Sequence, residues 1–166
     1  LLRATRLDAA GALTGRDQVL RLRRWIPDRG AERAELAWKG PTSVNPAGYK
    51  HREELELGVS DGAAALGLLG ALGYAVTHAI DRAVEVYRLG ETVARLEWYP
   101  RMDVLVEIEG PPEGIERMIA ATGLPRAACT ADALVAFTAR FEARTGRPAV
   151  LAEADLAGEA PDWARR

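Results

Sequence analysis

Val19–Trp25 reads Val-Leu-Arg-Leu-Arg-Arg-Trp, and the alternation inside it decides the fold. Residues two apart share one face of a strand, so Arg21 and Arg23 fall on one side and Leu20 and Leu22 on the other. The period returns downstream. Pro27-Asp28-Arg29-Gly30 makes a turn, and Arg33–Gly40 alternates again, with Glu35, Ala37 and Lys39 opposite Leu36 and Trp38. Pro41–Gly48 is loop. Tyr49–Val59 then sets Arg52, Glu54 and Glu56 against Leu55 and Leu57, with Glu53 interrupting the apolar side.

Ser60 and Asp61 are helix-cap residues, Leu66, Leu69 and Leu72 follow at helical spacing, and Gly73 suits the helix end. Strands are expected again over residues 80–89, 91–99 and 104–109, joined by hairpin turns. One face carries Arg82, Val84 and Val86, then Val93, Arg95 and Glu97, then Leu105, Glu107 and Glu109; the opposite face carries Leu96, Val106 and Ile108. Pro111 and Pro112 open a helix stopped by Gly123. Another is expected over residues 130–144, with Leu134, Phe137 and Phe141 on one side. Hairpins, helix, hairpins, helix, helix is an order that favours α+β with an antiparallel sheet over βαβ units.

The chain has 166 residues, 48% apolar and 28% charged, enough to bury roughly 68–70% of its unfolded surface in a core of its own. A net charge of −2 excludes a bulk basic nucleic-acid binder. Cys129 is the lone cysteine, which removes disulfide frameworks and cysteine zinc cages and suits a reducing cytoplasm. The longest uncharged stretch, residues 62–77, is shorter than the roughly 20 residues of a membrane helix. No signal peptide is legible, and the chain begins at Leu1 without a methionine.

A charged sheet face can simply meet water. Such faces usually mix Thr, Ser, Gln and Lys, whereas this one is nearly all Arg and Glu, with acids in the tight pairs Glu54/Glu56 and Glu107/Glu109. The alternative is a closed or nearly closed antiparallel β-barrel with flanking helices and its charged face inside. Arg21, Arg23, Lys39, Arg52, Arg82 and Arg95 would then lie with Glu54, Glu56, Glu97, Glu107 and Glu109, where charges must be paired or bind something. Arginine forks suit phosphate oxygens and carboxylate pairs suit Mg²⁺ or Mn²⁺, so both together suit a metal-bound polyphosphate.

Val19–Arg24, Ala37–Pro41 (Ala-Trp-Lys-Gly-Pro), Arg52–Leu57 (Arg-Glu-Glu-Leu-Glu-Leu), Leu72–Tyr74 (Leu-Gly-Tyr) and Leu105–Gly110 (Leu-Val-Glu-Ile-Glu-Gly), with Asp8 before them, form an ordered set over residues 5–123. This set resembles the CYTH, or triphosphate-tunnel, superfamily, and within it the small class IV adenylate cyclase-like branch. The resemblance implies a tunnel of antiparallel strands over residues 1–146, followed by a tail over 147–166. It implies phosphate binding by Arg21, Arg23, Lys39, Arg52 and Arg82, and metal-side carboxylates at Glu54, Glu56, Glu107 and Glu109, with Glu97 where the family usually has Asp. Arg95 joins the substrate set from its place on the strand face. Lys39, Arg52, Glu107 and Glu109 are the catalytic candidates. The family's Glu-x-Glu-x-Lys strand has no match in this chain and would fall before Leu1; Ile80 stands where a Lys is common, and Arg6 where an aromatic is.

The implied activity is conversion of ATP to cyclic AMP and pyrophosphate with Mg²⁺ or Mn²⁺, a lyase. The alternatives are hydrolysis of inorganic or thiamine triphosphate, and a non-catalytic polyphosphate- or nucleotide-binding module. The expected partner is a nucleoside triphosphate or inorganic triphosphate, with no membrane and no bulk nucleic acid; a homodimer is compatible with a sequence that does not fix the oligomeric state.

Overall fold

The computed structural model describes residues 1–46 and 48–165. Ala47, inside the expected 41–48 loop, and Arg166, at the end of the expected tail, lie outside them. The chain forms two compact units, Leu1–Asp81 and Arg82–Arg166. In the first are β1 (Leu2–Asp8), β2 (Val19–Trp25), β3 (Arg33–Lys39), β4 (Ser43–Val44), β5 (Lys50–His51), β6 (Glu54–Val59) and α1 (Gly62–Ala71). Strand β7 (Ala75–Leu89) begins there and ends in the second unit, which adds β8 (Thr92–Trp98), β9 (Leu105–Glu109), α2 (Pro112–Thr122) and α3 (Leu134–Thr145).

The fold is α+β and its ladders β1/β2, β2/β3, β3/β6, β7/β8 and β8/β9 are antiparallel. The main sheet has the strand order β6-β3-β2-β1-β7-β8-β9. Among the described residues that order has two ends, β6 and β9, so the fully closed form of the expected barrel is corrected.

In the first unit α1 covers the apolar side of the sheet. Leu7, Leu22 and Leu69 are its buried centre, with Leu20, Leu36, Val59, Ala65, Leu66 and Tyr74 packed around them. The helix starts where Asp61 accepts the N–H groups of Ala63 and Ala64 at 2.9 Å, satisfying donors that the first helical turn leaves open. Leu55 and Leu57, on the same apolar face, are 60% and 63% exposed. They belong to β6, the last strand of the order, so alternation placed them on the correct face without showing that the face runs out of cover there. The expected 49–59 strand breaks at Arg52-Glu53. There the Gly40 N–H donates to the Glu53 carbonyl at 2.8 Å and Arg52 Nε donates to the Gly40 carbonyl at 2.6 Å, while β4 and β5 pair as a small separate hairpin. Asp8 ends β1 by accepting the N–H groups of Leu13 and Thr14 at 3.0 Å and the Thr14 hydroxyl at 2.6 Å. Those bonds hold its pKa down at about 2.

In the second unit α2 packs on β8 and β9, beginning at Pro112 and closing at Gly123. Helix α3 begins at Leu134, later than Thr130, because the Thr130 hydroxyl takes the Asp132 N–H at 3.2 Å in a local turn instead. The 147–165 segment is part of this unit's packing. Val150 bridges to Arg101, Val150, Ala152 and Leu156 are buried, and the Asp162 N–H donates to the Pro100 carbonyl at 2.8 Å.

The joint between β9 and α2 is tight against Thr92, which is 1% exposed. Gly110 sits at φ +153, and a Cβ on Gly114 would stand 2.0 Å from Thr92 Oγ1. Gly114→Ala is therefore expected to destabilise by about 1–3 kcal/mol, read as a lowered denaturation midpoint, and Thr92→Ser combined with it should not recover the loss because the hydroxyl remains.

Candidate functional site

The strand register confirms which side chains share a face. In the first unit Arg21 is opposite Ala37, which is opposite Glu56; Arg23 is opposite Glu35; and Lys39 is opposite Glu54. In the second, Val86, Arg95 and Glu107 stand in one row and Val84, Glu97 and Leu105 in the next. Alternation along single strands had put these charges on common faces; the register decides which of them are neighbours across strands.

These cations do not stand out in water. Arg23, Lys39, Arg52, Arg82 and Arg95 expose 11–20% of their side chains, while Glu54, Glu56, Glu107 and Glu109 expose 38–50%. Long basic side chains on an open surface keep their heads in solvent; here the bases lie deep and most of the acids lie further out. Ala37, between Arg21 and Glu56, is fully buried, and Ala4, opposite Arg23, nearly so.

Within the first unit Arg23 Nε donates to Glu35 at 2.9 Å, and its Nη2 joins Glu35 and Glu56 together. Lys39 donates to Glu54. Arg52 sits apart from these pairs. It holds Gly40 through Nε, and Asp17 through the backbone carbonyl and through Oδ1 at 3.1 Å, so it ties the β3 end to the loop before β2. Asp17 in turn accepts the Thr42 N–H at 2.6 Å, which with the nearby Arg52 charge keeps its carboxyl below the usual range. Glu35 and Asp17 were not singled out in the sequence as site residues. The signal for Glu35 was present, since it lies on the same strand face as Lys39.

Within the second unit Arg95 Nη1 donates to Glu109 at 2.5 Å and to Glu107 at 3.3 Å. Arg82 Nη1 donates to Glu97 at 2.6 Å, and the Tyr99 hydroxyl donates to the other Glu97 oxygen at 2.7 Å. Glu97 is 2% exposed. Burial first, and the Glu97 charge second, push the Tyr99 phenol far up, so it stays a donor. Tyr99 is the participant the sequence reading missed; its position two residues after Glu97 is the signal that could have found it. Glu107 is 46% exposed along its side chain, yet the protein around its carboxyl, followed by the charges of Glu97 and Glu109, raises its pKa against the pull of Arg82 and Arg95. Among the described residues no three of His, Cys, Asp and Glu stand together as a metal-holding group. His51 and His78 are exposed, and no helix is long and apolar enough to cross a membrane.

No protein-family model and no curated protein matches the chain. Solved structures do. The PH1012 protein of Pyrococcus horikoshii is 18% identical with a TM-score of 0.61, covering 82% of this chain and 80% of its own. A conserved hypothetical protein of Pyrococcus furiosus is 16% identical with a TM-score of 0.60, covering 82% and 81%. A candidate adenylate cyclase of Vibrio parahaemolyticus is 18% identical with a TM-score of 0.55, covering 74% and 68%. At these identities the likeness shows a shared fold.

Two outcomes test the electrostatics. Glu97→Leu leaves the Arg82 charge without its buried partner and should cost about 3–5 kcal/mol of stability, whereas Arg82→Met with Glu97→Leu should regain most of it; denaturant titration of the three proteins decides. Because Glu107 has a raised pKa in the folded chain, its contribution to stability is full below the unfolded value of 4.5 and is lost as pH rises through the folded value. Glu107→Gln should accordingly melt at or above the parent at neutral pH, with the difference shrinking towards pH 4.

Proposed function

We propose that this chain binds a triphosphate together with Mg²⁺ or Mn²⁺ and acts on ATP as a class IV adenylate cyclase-like member of the CYTH superfamily, in a reducing cytoplasm. The observation that carries the reading is the inversion of exposure on the charged faces: each unit withdraws its guanidinium or ammonium groups from solvent and holds them with carboxylates. Desolvated, prepaid cations of this kind are strong phosphate receptors, because water no longer competes for their N–H groups. The fold shared with the candidate adenylate cyclase of Vibrio parahaemolyticus supports the choice of reaction.

In this reading the phosphate-binding candidates are Arg21, Arg23, Lys39 and Arg52 within the first unit, and Arg82 and Arg95 within the second. Glu107 and Glu109 share one arginine and are half exposed, which fits hard-oxygen ligands able to turn towards a divalent cation; Glu54 and Glu56 have the same character. Such a cation supplies charge neutralisation and acidifies a bound hydroxyl. The ribose 3′-oxygen attacks the α-phosphorus, the bond to the β-phosphate bridging oxygen breaks, and the arginines and Lys39 hold the charge that pyrophosphate carries away. A non-catalytic polyphosphate-binding module draws on a different observation, that no group of three metal-ligating side chains stands together among the described residues.

ATP, thiamine triphosphate and inorganic triphosphate, each offered with Mg²⁺ or Mn²⁺, separate the readings. Cyclic AMP with pyrophosphate is the expected product. Orthophosphate would make the chain a triphosphatase, binding without turnover would make it a module, and no binding of any of the three would overturn all of them. Glu107→Gln is expected to remove turnover with the fold intact, and Arg23→Ala to weaken triphosphate binding by about 1.5–3 kcal/mol.

A further inference from the structure

Two arginines of the second unit are held in different ways. Arg95 is bound by Glu107 and Glu109, whose side chains are about half exposed and can swing outward. Arg82 is bound by Glu97, whose side chain is 3% exposed. Both Glu97 oxygens are engaged: Oε1 accepts from Arg82 Nη1 at 2.6 Å and Oε2 accepts from the Tyr99 hydroxyl at 2.7 Å. A metal on Glu97 would compete with the buried Arg82 for the same carboxylate charge. Arg82 meets Tyr99 as well as Glu97. Its Nε is buried and has no hydrogen-bond partner among the described residues, although buried donors are nearly always paired. In a planar guanidinium Nη1 lies on the side away from Nε, and Nε with Nη2 forms the edge that grips an oxyanion through two parallel N–H groups.

We infer that Glu97 and Tyr99 are positioning residues, which grip Arg82 by Nη1 and thereby present its Nε edge to a phosphate oxygen, and that Glu97 is not a metal ligand. This rests on the triphosphate reading above and refines it. Tyr99 anchors Glu97, Glu97 orients Arg82, and Arg82 meets the ligand. The metal-side carboxylates of this unit are then Glu107 and Glu109 alone.

The test is a double-mutant cycle on tripolyphosphate affinity, measured calorimetrically without divalent metal. Arg82→Gln should weaken binding roughly tenfold or more and Tyr99→Phe about threefold to tenfold, while Tyr99→Phe added to Arg82→Gln should change nothing further, because the tyrosine acts through the arginine. A merely structural tyrosine would give additive losses, and that result, or an unchanged affinity in Tyr99→Phe, overturns the positioning role while leaving the triphosphate reading in place. Failure of the parent protein to bind tripolyphosphate overturns both. A measurement on the parent protein is independent of variant folding: the Arg82 Nε–H resonance in ¹H–¹⁵N spectra should move downfield when tripolyphosphate is added, and a resonance that stays still while the ligand binds elsewhere rejects the assignment. Mn²⁺ should broaden the Glu107 and Glu109 carboxyl signals in ¹³C spectra more strongly than that of Glu97; the opposite order restores Glu97 as a ligand.

Discussion

A guanidinium taken out of water has to be paid for by a carboxylate, and this constraint organises both units. The first unit meets it with Arg23 between Glu35 and Glu56 and with Lys39 on Glu54. The second meets it with Arg82 on Glu97 and with Arg95 on Glu107 and Glu109. Strand geometry makes the pairing possible, since directly opposed residues on neighbouring antiparallel strands lie close enough for a long base to reach an acid one row away. The small residues opposite Arg23 and Arg21, Ala4 and Ala37, are buried beside them.

The pairs are not equivalent, and the difference has functional content. Glu97 is enclosed and doubly bonded, which makes Arg82 a fixed element. Glu54, Glu56, Glu107 and Glu109 are the outer partners, open enough to exchange one cation for another. Burial first, and the charges of Glu97 and Glu109 second, raise the Glu107 pKa.

Much of the strand content was legible, because a period of two written in Arg, Glu and Leu is hard to mistake for a helix. β2, β3, β8 and β9 fall within a residue or two of where alternation places them. β1 was not legible, since Leu-Arg-Ala-Thr-Arg-Leu-Asp mixes polar and apolar residues on both faces and its pairing with β2 is settled by partners distant in the chain. The break at Arg52-Glu53 was announced by Glu53 on the apolar face, but its cause is the Gly40 backbone, which no local pattern reveals. Tyr99 stayed hidden for a similar reason: a lone tyrosine at a strand end reads as packing until its hydroxyl is seen on a buried carboxylate.

Taken alone, the sequence determined the antiparallel α+β class, the sharing of one sheet face by the Arg, Lys and Glu residues, and the caps at Asp61 and Gly123. All of these follow from local periodicity and local hydrogen bonding. Tertiary structure alone decided which base meets which acid, which of those pairs are shut away from water, and that among the described residues the strand order ends at β6 and β9. Register and burial depend on residues far apart in the chain, and the energy of a charge depends on its surroundings more than on its identity.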